Sequence, residues 1–177
     1  MAAGQAISVA ALGQKLLAAV EEHYAQAGAG SALPARRAVM PGEPRGVAWD
    51  CEQLAVTLVG VGWGQALDAS SPSPQTGGQS AVMAVRHAVY AVTLVRCTPN
   101  PFEDGSPPDV VELAAAGAQF MRDAGLLSQA LVEFASRLRQ GLPREASVQL
   151  GAIEPVGPSG GFHGLEASMA VTAAALE

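Results

Sequence analysis

Residues 81–97 read AVMAVRHAVYAVTLVRC, and their period-two pattern predicts a long β-strand. One face of this strand carries Val85, His87, Val89, Ala91, Thr93, Val95 and Cys97, and the other carries Tyr90, Val92 and Leu94. Both faces are largely apolar, so both need to be covered. We expect helices on one side of the sheet and a partner subunit or a second layer on the other. The pattern therefore indicates a protein that assembles.

Three further strands are predicted around this one. Residues 49–61 form a second period-two segment, with Leu54, Val56 and Leu58 on one side. The C-terminal third reads as a hairpin, with strands over about 147–156 and 162–174 joined by the glycine-rich turn at 157–161. Neighbouring strands of this kind pair antiparallel, because short connections bring them back alongside each other.

Two helices complete the predicted fold. Ser8 can cap a helix that runs to about Ala27. The capping-box spacing of Asp109 and Glu112 predicts a longer helix that ends at Gly141. The chain of 177 residues fits a single domain. We expect an α+β fold in the order α-β-β-α-β-β, with a mostly antiparallel sheet of four to five strands packed by both helices.

Two segments without core residues are candidate contact regions. Residues 31–47 form a proline-rich connector, with a short strand at about 38–40 and a basic cluster of Arg36, Arg37 and Arg45. Residues 64–80 contain almost nothing to bury and predict a long mobile loop. The connector should contact a neighbouring subunit through its arginines, with solvated loop charges as the alternative. The loop, with Gln75, Thr76 and Gln79, should become ordered against a partner ring or the tail tube.

Composition restricts the classes of partner. The net charge is −6, and Lys15 is the one lysine among ten basic residues, so no basic stripe is available to grip nucleic acid. The sequence contains no apolar run long enough to span a membrane and begins without a secretory pattern, which indicates a protein made in a cytoplasm. Few lysines and many alanines are typical of a GC-rich, actinobacterial type of source.

The two cysteines stand near opposite ends of the two long strands. Antiparallel pairing of those strands would bring Cys51 and Cys97 within reach of a disulfide. In a chain made in a cytoplasm, however, we expect two buried thiols.

No pattern in the chain predicts catalysis, a cofactor or a metal. The sequence GPSGG at 157–161 lacks the Lys-Ser/Thr pair of a phosphate-binding loop and leads into a strand. His87 lies within a strand and is interpreted as a packing residue, and the three histidines show no metal-ligand spacing. Asp50 and Glu52 would share one strand face about 7 Å apart, and we interpret them as solvated charges.

Three runs of sequence carry a resemblance to a known family. They are WDCEQLAV at 49–56, RHAVYAVTLVRC at 86–97 and GPSGGFHG at 157–164. In these runs and in layout over most of its length, the chain resembles the tail terminator or neck proteins of long-tailed phages that infect actinobacteria. The resemblance implies a structural virion protein that forms a hexameric ring at the head-proximal end of the tail tube. Such a ring stops tube polymerisation and presents a surface to the head-completion protein. DNA would only pass through its lumen, and the resemblance carries over no catalytic residues.

Two alternatives stay open. Another neck component, such as a head-closure or tail-completion protein, fits the same patterns. A small α+β ligand-binding or hydrolytic domain with a pocket near His87 and Tyr90 is the alternative from a different class.

Overall fold

The computed structural model describes residues 7–28, 32–42, 51–63, 86–99, 106–143, 146–159, 161–174 and 176. Along the chain its elements are α1 (Val9–Gln26), β1 (Arg36–Pro41), β2 (Gln53–Trp63), β3 (Arg86–Cys97), α2 (Val110–Gly141), β4 (Ser147–Ser159) and β5 (Phe162–Ala173). The α+β class is therefore confirmed. The loop predicted over 64–80 lies outside the described residues.

Both helices begin where their capping residues predict. The Ser8 hydroxyl accepts a hydrogen bond from the Ala11 amide at 3.3 Å and caps α1. The Asp109 carboxylate does the same for α2, accepting from the Val111 amide at 2.8 Å. Each cap satisfies an amide that has no partner within its own helix, so the starting points of both helices are fixed locally.

The sheet has the strand order β1-β2-β3-β5-β4 and is mixed. The pairs β2–β3, β3–β5 and β5–β4 are antiparallel, whereas β1 runs parallel to β2. The predicted order α-β-β-α-β-β is therefore corrected to α-β-β-β-α-β-β. The added strand is β1, which pairs with β2 in a parallel register from Arg36 opposite Gln53 to Pro41 opposite Leu58. A strand pattern does not encode the direction of its neighbour.

Both faces of β3 are buried, as its pattern predicts. The described helices pack on the face that carries Tyr90, and the Tyr90 hydroxyl donates to the Val9 carbonyl at 2.7 Å. Val95 and Thr93 on the opposite face are also fully buried. Strand β3 is thus the centre of the domain.

Close packing between β3 and β5 depends on Gly164. A Cβ built at this position would overlap the Leu94 carbonyl oxygen and lie 3.2 Å from the Val95 Cα. We predict that Gly164→Ala lowers the free energy of unfolding by about 3 kcal/mol, because a backbone atom cannot move aside as a side chain can. Gly60→Ala on β2 is the matched control, since its Cβ would meet nothing within 4 Å. Urea denaturation measures both, and equal midpoints would contradict the prediction.

Candidate functional site

A buried ion pair joins the sheet to α2. Arg96, near the end of β3, donates from Nε to Asp123 Oδ2 at 2.9 Å and from Nη2 to Asp123 Oδ1 at 3.1 Å. The two side chains are 7% and 1% exposed. This two-pronged geometry is the strongest arrangement that a guanidinium and a carboxylate can form. It fixes α2 against the sheet at one defined point.

The remaining donors of Arg96 reach two other segments. Nη1 donates to Glu52 Oε2 at 2.8 Å, and Nη2 donates to the Ala32 carbonyl at 2.7 Å. Burial alone would lower the pKa of Arg96, but the hydrogen bonds and charges of Asp123 and Glu52 raise it overall. Arg96 therefore stays charged and connects four segments of the chain.

Asp123 also accepts from two further donors. The Tyr24 hydroxyl donates to Oδ1 at 3.1 Å, and the Gln119 side-chain amide donates to the same oxygen at 3.0 Å. Burial raises the pKa of Tyr24, and the charge of Asp123 raises it further, so the phenol remains a neutral donor. The carboxylate thereby links α1, α2 and β3.

A disulfide lies beside this cluster and overturns the expectation of two buried thiols. Cys51 and Cys97 are bonded, with 4.7 Å between their Cα atoms and a sequence separation of 46. They meet because β2 begins where its antiparallel partner β3 ends. The bond therefore ties the start of β2 to the end of β3.

Glu52 corrects a second expectation. Residues 51 and 52 are bends, and β2 begins only at Gln53, so Glu52 is not a strand residue sharing a face with Asp50. Its φ of 64° is the one positive value among the described non-glycine residues. Its carboxylate is partly exposed but paired with Arg96, rather than simply solvated. Asp50 lies outside the described residues.

The first part of α2, before Asp123, contains no buried residue. Within this part, Val110 is 78% and Met121 is 70% exposed. Seven exposed residues at helical spacing lie along one side of α2. We name them the outer stripe: Val110, Ala114, Gly117, Met121, Gly125, Ser128 and Val132. At 1.5 Å per residue the stripe is about 33 Å long. It contains no charged residue, which is unusual for a solvent-facing side of a helix.

The predicted interface residues are only partly described. Arg36 and Arg37 lie on β1, an edge strand, and both are exposed. Arg37 Nε is 3.3 Å from Glu21 Oε1, so this arginine pairs with α1 of its own chain. Arg45, Gln75, Thr76 and Gln79 lie outside the described residues.

The histidines do not converge on one site. His87 and Tyr90 lie on opposite faces of β3 and do not line one pocket, and Nδ1 of His87 is buried without a hydrogen-bond partner in the described part of the chain. His163 contacts Thr98 through Nδ1 at 2.9 Å and packs against the Phe120 ring, and burial lowers its pKa. His23 pairs with Gln129 and Glu133 on α2.

The described ranges contain no group of three histidine, cysteine, aspartate or glutamate residues that could hold a metal ion. None of the helices described here is long and apolar enough to cross a membrane.

Sequence reasoning missed Arg96 and Asp123. Arg96 shares the apolar strand face of Tyr90, Val92 and Leu94, and Asp123 falls within the apolar stripe of α2. Opposite charges that interrupt two core-facing patterns are a readable signal, because a buried charge requires a partner.

Neither a protein-family model nor a curated protein sequence matches this chain.

Proposed function

We propose that this chain is a structural virion protein that forms a ring at the head-proximal end of a phage tail tube. The ring, a homohexamer in this proposal, ends tube polymerisation and joins the tail to the head through a head-completion protein. The observation that carries the proposal is the outer stripe of α2. An uncharged, exposed stripe with Val110, Met121 and Val132 is typical of a protein-protein contact.

A second copy of the chain is the occupant that we propose for the stripe. Small residues at Ala114, Gly117 and Gly125 let another backbone approach closely. Helix α2 lies over the β4 side of the sheet, whereas β1 forms the opposite edge next to α1. The stripe and the exposed face of β1 are therefore different surfaces at opposite sides of one subunit.

Contact between two different surfaces is head-to-tail, and head-to-tail contacts close into rings when the rotation permits. In this arrangement α2 of one subunit packs against the β1 side of the next. Arg36 and Arg37 would then lie at the rim of the contact, where charges set the orientation of the partners more than the affinity. The resemblance noted in the sequence supports the same assignment, since it implies a ring of small α/β subunits.

Electron microscopy of the purified chain, and of tails labelled through a tag on this chain, tests the proposal. We expect rings of six subunits in solution or on tubes, with the label at the head-proximal tube end. Label at the head vertex alone would favour the head-closure alternative. A chain that stays monomeric at high concentration and is absent from isolated tails would overturn the proposal.

A further inference from the structure

The disulfide between Cys51 and Cys97 is open to chemical attack. Cys97 is exposed and Cys51 is half-buried. A thiolate can reach a disulfide only where a sulfur is accessible, so exposure distinguishes a labile bond from an inert one. This bond lies at the margin of the sheet rather than in its core.

Glu52, directly after Cys51, connects three segments at once. Its carboxylate accepts from Arg96 Nη1 at 2.8 Å and from the Cys97 amide at 3.4 Å, while its carbonyl accepts from the Arg36 amide at 3.2 Å. The backbone of Glu52 is in the left-handed region, which an L-residue with a side chain adopts only when its surroundings hold it there. The surroundings of Glu52 include the disulfide at Cys51 as well as the hydrogen bonds of Glu52 itself.

Strand β1 pairs with β2 over Arg36–Pro41 and packs Val39 against the core, and its N-terminal end has two further contacts. It has six residues, and β2 is its one strand neighbour in the described sheet. The chain just before it is held by the Ala32 carbonyl, which accepts from Arg96. Its first amide is held by the Glu52 carbonyl. These two contacts at the N-terminal end of β1 thus run through residues adjacent to the disulfide.

We propose that the Cys51–Cys97 bond is a redox-sensitive clasp that locks the edge strand β1 onto the sheet. A dithiol reductant opens it by thiol-disulfide exchange: one thiolate attacks a protein sulfur, and a mixed disulfide forms. The second thiol of the reductant then resolves the mixed disulfide. Two electrons and two protons pass to the protein, which gains two thiols, and the dithiol becomes a cyclic disulfide. Glu52 then relaxes from the left-handed region, and β1 detaches while the rest of the sheet stays folded. This clasp operates within one subunit, and its test on the monomer does not depend on the proposed ring.

Hydrogen exchange followed by mass spectrometry tests the clasp on the full chain. We compare the oxidised protein with the same protein in dithiothreitol, at a concentration where it is monomeric. Amide hydrogens of residues 36–40 should exchange at least about 10-fold faster after reduction, since exchange reports local opening. Amides at the centres of β3 and β5 should be unchanged. The double variant Cys51→Ser/Cys97→Ser should match the reduced protein and give no response to dithiothreitol.

Two results would overturn the clasp. One is equal exchange at residues 36–40 before and after reduction. The other is a uniform increase across β3 and β5, which would make the disulfide a staple of the whole fold.

Glu52→Gln tests whether the carboxylate of Glu52 helps to hold β1. This variant keeps the disulfide but weakens the contact with Arg96, so it should speed exchange at residues 36–40 in the oxidised protein. Glu154→Gln on the exposed edge of β4 is the matched control and should change nothing there.

Discussion

Met121→Glu abolishes ring assembly while leaving the fold intact, if the outer stripe is the subunit contact. The side chain of Met121 is 70% exposed in the single subunit, so a glutamate there meets water and changes the free energy of unfolding by about 0.5 kcal/mol at most. In the assembled ring the same carboxylate would be buried without a partner. Such a charge costs several kcal/mol per contact, and every contact in the ring would suffer equally.

Ala115→Glu is the control for charge alone. Ala115 is exposed on the same helix but lies about 120° round the axis from Met121, outside the outer stripe. Native mass spectrometry gives the oligomer mass of each variant, and circular dichroism gives its unfolding midpoint. We expect Met121→Glu to be monomeric and Ala115→Glu to assemble. If both variants assemble like the parent chain, the outer stripe is not the contact.

Much of the fold is readable from the sequence because its signals are local. Ser8 and Asp109 mark the helix starts, since each caps amides within its own first turn. Alternation identifies β2 and β3, and the hairpin of β4 and β5 turns within the predicted glycine-rich segment, although β4 continues to Ser159, beyond the predicted strand end at about 156. These features depend on residues a few positions apart.

The features that sequence reasoning missed all depend on distant partners. The parallel direction of β1 depends on its pairing with β2, which forms only in the completed sheet. The expectation of two buried thiols rests on synthesis in a cytoplasm and not on strand geometry, although the predicted antiparallel pairing allows the disulfide. The ion pair of Arg96 and Asp123 joins a strand to a helix and appears in sequence only as two interruptions of apolar patterns.

Removing one partner of that ion pair should cost far more stability than removing both. Asp123→Leu leaves the guanidinium of Arg96 buried with only the partly exposed Glu52 as a counter-charge. Arg96→Met leaves the Asp123 carboxylate buried with the neutral donors Tyr24 and Gln119. An uncompensated buried charge is strongly destabilising, so we expect each single variant to lose about 3–5 kcal/mol of unfolding free energy.

The double variant Arg96→Met/Asp123→Leu removes both charges and fills the space with apolar side chains. Its loss should be smaller than that of either single variant, because replacing a buried ion pair with apolar groups of similar volume is often nearly neutral. Urea denaturation of the parent chain, the two single variants and the double variant gives the free energies of unfolding for this double-mutant cycle. Arg137→Met, which breaks the exposed pair with Glu133, should leave the midpoint almost unchanged. Additive losses in the double variant would mean that Arg96 and Asp123 act separately. The pair would then not be the point that holds α2, and with it the outer stripe, in place against the sheet.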